Sequence, residues 1–168
     1  MSQIESLTVF LEQYMPTRAM QFFESAMEDA TLVYSVKALG LGQRRLGVFR
    51  YTARLSWDRF PYRLCPPALV YALVFAWIDA SRNNLYDELA LGEPAVDIEF
   101  DEEKTGTLSI TLELADEITI TPDEAGEIPL AGKRWRLSYP EIHTATSGYL
   151  YAAAENGAPL GGGGDGKG

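Results

Sequence analysis

The sequence predicts an α+β fold: a single domain in which a mixed or antiparallel sheet is packed by an N-terminal helix and one central apolar helix. Three observations predict it. Apolar residues recur at helical spacing near the N-terminus and run almost without a break from Pro66 to Ile78. Apolar and polar residues alternate strictly on both sides of that run, the period of a half-buried strand. The 168 residues suit one compact domain, and no internal repeat or linker divides residues 1–140. Residues 141–168 read separately, as an extended or flexible C-terminal tail.

The first element is an amphipathic helix. Ile4, Leu7, Leu11 and Tyr14 share one face, Ser2 and Glu5 have the spacing of a capping box, and Pro16 ends it. Thr17 to Asp29 permits two outcomes: a further helix, or a short strand at Gln21-Phe22-Phe23 turning at Glu28-Asp29. Leu32 to Leu39 is rich in β-formers, and Gly40 and Gly42 provide a turn. In the next strand Phe49, Tyr51, Ala53, Leu55 and Trp57 point one way. Val48, Arg50, Thr52, Arg54 and Ser56 point the other, which predicts a wet, cationic face.

Pro66-Pro67 opens the central helix, where proline is tolerated in the first turn. Its predicted core stripe is Leu69, Val70, Leu73, Val74, Trp77 and Ile78. Tyr71 and Phe75 make the flank apolar too, so the helix is expected to be covered on more than one side, by its own sheet or by a neighbouring subunit. Arg82-Asn83-Asn84 marks its end. Val96, Ile98 and Phe100 then alternate with Asp97, Glu99 and Asp101, and Leu108 to Leu114 alternate with Thr107 to Glu113. Asp101 to Gly106 joins the two as a hairpin loop. Ile118 and Ile120 continue the pattern, Pro122-Asp123-Glu124 turns the chain, and Trp135 with Leu137 predicts a last strand. Past Leu160 come four glycines and Asp165-Gly166-Lys167-Gly168, a segment too poor in apolar surface to order itself without a partner.

Composition narrows the function. Hydrophobic residues make up 46% of the chain, enough for a core without disulfides, and Cys65 is the single cysteine. Net charge is −10, from 24 Asp and Glu against 14 Lys and Arg, which opposes non-specific binding to nucleic acid or anionic lipid. The start, Met1-Ser2-Gln3-Ile4-Glu5, lacks the pattern of a signal peptide, and the central apolar run is shorter than the roughly 20 residues of a membrane span. A soluble protein made in the cytoplasm is expected.

No residue set points to catalysis, metal or cofactor. His143 is the one histidine, far in sequence from Cys65, so a nucleophile–histidine pair has no local support. Cys65 sits among Leu64 and Leu69 and reads as a buried, inert thiol. Asp97, Glu99, Asp101, Glu102 and Glu103 offer oxygen ligands for calcium, but without EF-hand spacing, and the alternation with Val96, Ile98 and Phe100 explains them as the wet side of a strand and its turn. Gly40-Leu41-Gly42 precedes a strand rather than a helix, so it is a hairpin turn and not a phosphate cradle. Carboxylate pairs abound in so acidic a chain, and none stands out.

The central stretch carries a resemblance. It runs Arg54-Leu55-Ser56-Trp57, then Pro66-Pro67-Ala68-Leu69-Val70-Tyr71-Ala72-Leu73-Val74-Phe75-Ala76-Trp77, then an acidic connector. Val96-Asp97-Ile98-Glu99-Phe100 and Gly106-Thr107-Leu108-Ser109-Ile110-Thr111-Leu112-Glu113-Leu114 follow. In pattern and order, over roughly residues 4–138, this resembles the tail-completion R protein family of contractile-tailed temperate phages. That family commonly shows Asn-Gly where Glu28-Asp29 stands here.

The resemblance implies a tail-terminator-like fold and a late virion protein. Such a protein acts on the finished tail tube and sheath, stops their growth and prepares the tail to join the head. By analogy with terminators it implies a hexameric ring at the head-proximal end of the tail, assembled in the host cytoplasm. Its partners would be further copies of itself, tube and sheath proteins, and head–tail connector or other neck proteins, with DNA only passing through the lumen. Another neck component and, more remotely, an enzyme with a dispersed carboxylate site are the alternatives. For the subunit or tail interface, the expected candidates are Arg44, Arg45, Arg50 and Arg54 on one face and Asp97, Glu99, Asp101, Glu102 and Glu103 on the other. Charge complementarity between such faces would set register and partner choice. The competing expectation is that both faces are solvated or pair within one subunit.

Overall fold

Ser2 starts the first helix as the sequence predicts. Its hydroxyl accepts the Glu5 amide at 3.3 Å and donates to the Glu5 carboxylate at 2.9 Å. The computed structural model describes residues 1–81, 84–101 and 104–138. Glu102, Glu103, His143 and the predicted tail lie outside the described residues, and Ser2–Ser138 forms one compact unit. Helix α1 (Gln3–Tyr14) and a short 3-10 turn (Thr17–Met20) lead into a long hairpin, β1 (Phe23–Gly40) and β2 (Gln43–Phe60). Helix α2 (Pro67–Ser81), the single turn α3 (Leu85–Glu88), β3 (Ala95–Phe100), β4 (Gly106–Pro122), β5 (Ile128–Leu130) and β6 (Lys133–Ser138) follow.

The six strands form one sheet in the order β1-β2-β4-β6-β5, with β3 also paired to β4. Every pairing is antiparallel. The fold is therefore α+β, and of the two sheet types expected the antiparallel one is realised. β2 fills one edge of β4. The other edge is shared: β3 pairs along Gly106–Thr111 and β6 along Thr119–Pro122.

Alternation decides where the core lies. Tyr51, Ala53, Leu55 and Trp57 of β2 and Leu108, Ile110, Leu112 and Leu114 of β4 are buried on one face. Against them pack Ile4, Leu7 and Leu11 of α1 and Val70, Val74 and Trp77 of α2. The Trp77 indole N–H donates to Ser6 Oγ at 3.1 Å, which joins the two helices and satisfies a polar group that burial would otherwise strand. Tyr14, expected in the α1 core face, is exposed and rests on Phe10 with ring centroids 4.8 Å apart.

Three local expectations are corrected. The segment from Thr17 to Asp29 is neither a helix nor a strand ending at Glu28-Asp29. After the 3-10 turn, β1 runs through it, because β2 offers a partner from Trp57 back to Gln43. Asp29 instead adopts a positive φ of 51° at a register shift between Glu28 and Thr31, a bulge where a turn was expected. Second, Val48 does not lie on a wet face. With Leu85 and Ala115 it forms a small second core, flanked by Val33, Leu89 and Leu91, under α3. Third, Leu69, expected in the core stripe of α2, is exposed, as are Ala72, Phe75 and Ala76 beside it.

Candidate functional site

The predicted cations come first. β2 carries all four arginines, and strand alternation together with a register shift between Arg45 and Gly47 decides where each points. Arg45 is buried at 3% exposure. Its guanidinium donates to Glu88 and Glu117, each at 3.0 Å, and to the carbonyl and hydroxyl of Ser35 at 3.0 and 2.7 Å. Burial opposes its charge, but the bonds to Glu117 and Glu88 outweigh that and hold its pKa above the ordinary value. The cluster ties α3 to the β1–β2–β4 sheet. Arg50 donates to Glu113 at 2.9 Å. Glu113 also accepts the Gly92 amide at 3.0 Å, and that bond first, then Arg50, lowers its pKa despite partial desolvation. Arg54 grips Glu28 with two bonds at 2.7 and 2.9 Å, which lower the Glu28 pKa. Arg44 lies over the Trp135 ring, 5.2 Å from its centroid.

Three of the four candidate arginines thus meet carboxylates of their own chain, and none of those carboxylates belongs to the predicted acidic set. In that set, Asp97 and Glu99 are exposed on β3, opposite Ser109 and Thr107. No ion pair joins either of them to another described residue. Asp101 shapes the hairpin instead, accepting the Thr105 amide at 3.2 Å and its hydroxyl at 2.7 Å. Among the described residues no group of three or more His, Cys, Asp and Glu could hold a metal ion, and no helix is long and apolar enough to cross a membrane. Cys65 is buried, and desolvation raises its thiol pKa, which keeps it protonated and unreactive at neutral pH.

A further polar cluster was not anticipated. The Tyr51 hydroxyl donates to Asp116 at 2.7 Å and accepts the Ile4 amide at 3.1 Å. Asp116 accepts the Gln3 amide at 2.9 Å. A carboxylate here meets the positive end of α1 and pins it to the sheet. Burial first, then Asp116, pushes the Tyr51 pKa far up, so the phenol stays neutral. The signal available in the sequence was weak: a tyrosine as the one hydroxyl on an otherwise apolar strand face, and an aspartate interrupting the alternation of β4.

Besides the exposed flank of α2, the chain leaves apolar surface open on its strands. β1 forms an edge of the sheet along all 18 residues, and Leu32, Tyr34, Val36 and Leu41 on it and its turn are exposed, Tyr34 by 87%. At the other side β3 is exposed at Val96 and Phe100. Unpaired edges that carry apolar side chains invite another chain to pair. The arrangement offers surfaces for assembly.

No solved structure matches the chain. A 19.2 kDa protein from the rep–hol intergenic region of Haemophilus phage HP1 (strain HP1c1) is 24% identical over 141 residues, 84% of this chain and 84% of that one. The family model of the P2 phage tail completion protein R (GpR) matches residues 1–139, and the chain belongs to that family.

Proposed function

We propose that this protein, which has a structural role in the phage tail, completes the tail as a ring at its head-proximal end. The ring caps tube and sheath, stops their polymerisation and readies the tail for the head. One observation carries the ring: two of the open edges of the sheet, β1 and β3, are unlike, and both carry exposed apolar side chains. Unlike surfaces on one chain associate head to tail, and head-to-tail contacts that close give cyclic rings. A hexamer is the expected copy number, with tube, sheath and neck proteins as the flanking partners and the virion tail as the location. A net charge of −10 suits a lumen through which DNA slides without sticking.

The charged residues divide within this reading. Arg45, Arg50 and Arg54 already have partners inside the chain, while Asp97 and Glu99 remain for a neighbour. Mass by light scattering, on the purified protein alone and mixed with tail tubes, tests the proposal. A hexamer-sized species, or a monomer that binds one end of each tube, is expected. A stable monomer indifferent to tubes overturns it. Co-purification with capsid components instead of tubes would identify a connector between head and tail.

A further inference from the structure

We propose that the open edge of β1, along Leu32–Lys37, receives β3 of a second copy, and that this strand addition is the contact that closes the ring. The inference rests on the ring reading and names its interface.

Strand direction permits the joint. In the order β1-β2-β4-β3 every neighbour is antiparallel, so β3 runs opposite to β1. A copy placed beside the first without being turned over brings its β3 antiparallel to β1, and the sheet continues with the same face toward the helices.

Side-chain faces select the position along β1. Leu32 and Tyr34 stand opposite Phe49 and Gly47, on the face that bears the helices, and are 73% and 87% exposed. Val96 and Ile98, opposite Ile110 and Leu108, occupy that same face of β3, and Phe100 follows them. Joining the edges therefore covers Leu32 and Tyr34 with Val96, Ile98 and Phe100. With Leu32 set opposite Phe100 and Tyr34 opposite Ile98, Lys37 on the reverse face, opposite Arg45 in its own sheet, lies diagonal to Asp97, and Glu99 follows two residues further along. All three charges are exposed and without an ion pair among the described residues, so pairing them breaks no existing contact. The other end of β1 is a poor match: Glu24 would face Asp97 or Glu99, and like charges across strands repel, while Glu28 is already held by Arg54. A β3–β3 pairing suffers the same repulsion. Register shifts at Glu28/Thr31 and Ala38/Gly40 flank the receptive stretch, a third lies within it between Tyr34 and Lys37, and together they keep the long edge from pairing indiscriminately.

Cross-linking tests the contact. In a Cys65→Ala background, Lys37→Cys and Asp97→Cys are introduced together and singly, and the full chain is treated with a short bis-maleimide, alone and bound to tail tubes. The double variant is expected to give a ladder of linked copies, and neither single variant any link. Charge reversal sharpens the result. Lys37→Glu should weaken self-association about tenfold, and adding Asp97→Lys and Glu99→Lys should restore it. A dimer from Lys37→Cys alone would mean that two β1 edges meet by two-fold symmetry, which overturns the proposal. Hexamers or capped tubes without a ladder would leave the ring standing and exclude this interface. A ladder without capped tubes would keep the interface and remove the terminator role. Absence of both overturns both. Unchanged thermal unfolding of the Lys37→Glu monomer confirms that the fold is intact.

Discussion

The two ends of the β1–β2–β4 sheet are built from similar residues and serve different ends. Near Trp57 and Leu108, α1 and α2 cover the apolar face, and the side chains beneath them are buried. Near Leu32 and Tyr34 the same face carries equally apolar side chains, and they stand in solvent. The changeover comes at Tyr51 and Asp116, where the start of α1 is fastened. Alternation alone therefore marks a face as apolar without saying what covers it. At one end the chain covers itself; at the other it leaves surface of the kind that partners bury.

The sharpest way to break this contrast is to truncate one aromatic from each end. Trp57 is fully buried, in ring contact with Phe23 at 4.9 Å and Phe60 at 6.2 Å. Trp57→Ala should destabilise the fold by about 3–5 kcal/mol, read from urea unfolding midpoints. Tyr34→Ala should change the same midpoint by no more than about 0.5 kcal/mol, because an exposed side chain has little folded-state contact to lose. A large loss at Tyr34 in dilute monomer would show that the distal end is part of the folding core.

The reverse face provides the next test. Arg45 is buried between Glu88 and Glu117, whose side chains are each 38% exposed. Arg45→Ala removes a charge that faces two carboxylates and leaves them close together. A loss of about 2–3 kcal/mol is expected, below the figure for a fully buried pair because water reaches both acids. Converting Glu88 and Glu117 to Gln in the same variant should recover part of it. No recovery would assign the role of Arg45 to its bonds with Ser35 and to packing.

The arginines also show how far the sequence was legible. The two main helices, the long β2 strand and the β3–β4 hairpin followed from period and punctuation, since 3.6-residue and 2-residue repeats record which side is buried. The cationic face was less legible. Strand alternation places Arg50 and Arg54 opposite Tyr51 and Leu55, but a bulge resets Arg45, and the anions that meet the arginines come from β1, α3 and β4, far away in sequence. The sequence permits a helix or a turn at Glu28-Asp29, and one bulge with Asp29 at positive φ is enough to hide a continuous strand. β5, only three residues long, has too few positions to show a period.

A smaller effect is expected where α1 is fastened. Tyr51→Phe keeps the packing and removes both hydroxyl bonds, leaving Asp116 to hold the Gln3 amide alone. A loss of about 1–2 kcal/mol should appear. Amide exchange should quicken in the first turn of α1 and not in β4. Uniform quickening would mean that the phenol supports the whole core rather than the boundary between the covered and bare ends.

The smallest effect is electrostatic and depends on pH. The folded-state pKa of Glu113 lies below its ordinary value of 4.5, chiefly through the Gly92 amide and then Arg50. A depressed acid contributes stability that is fully present above the ordinary value and is lost as pH falls through the lower folded one. Glu113→Gln should therefore be less stable than the wild type at pH 7. The gap should close below pH 4.5, leaving a flatter acid limb. Because Gly92 supplies the larger share, Arg50→Met should keep most of the acid slope. If Arg50→Met flattens the limb as fully as Glu113→Gln does, the ion pair and not the backbone bond holds the loop after α3 against the sheet.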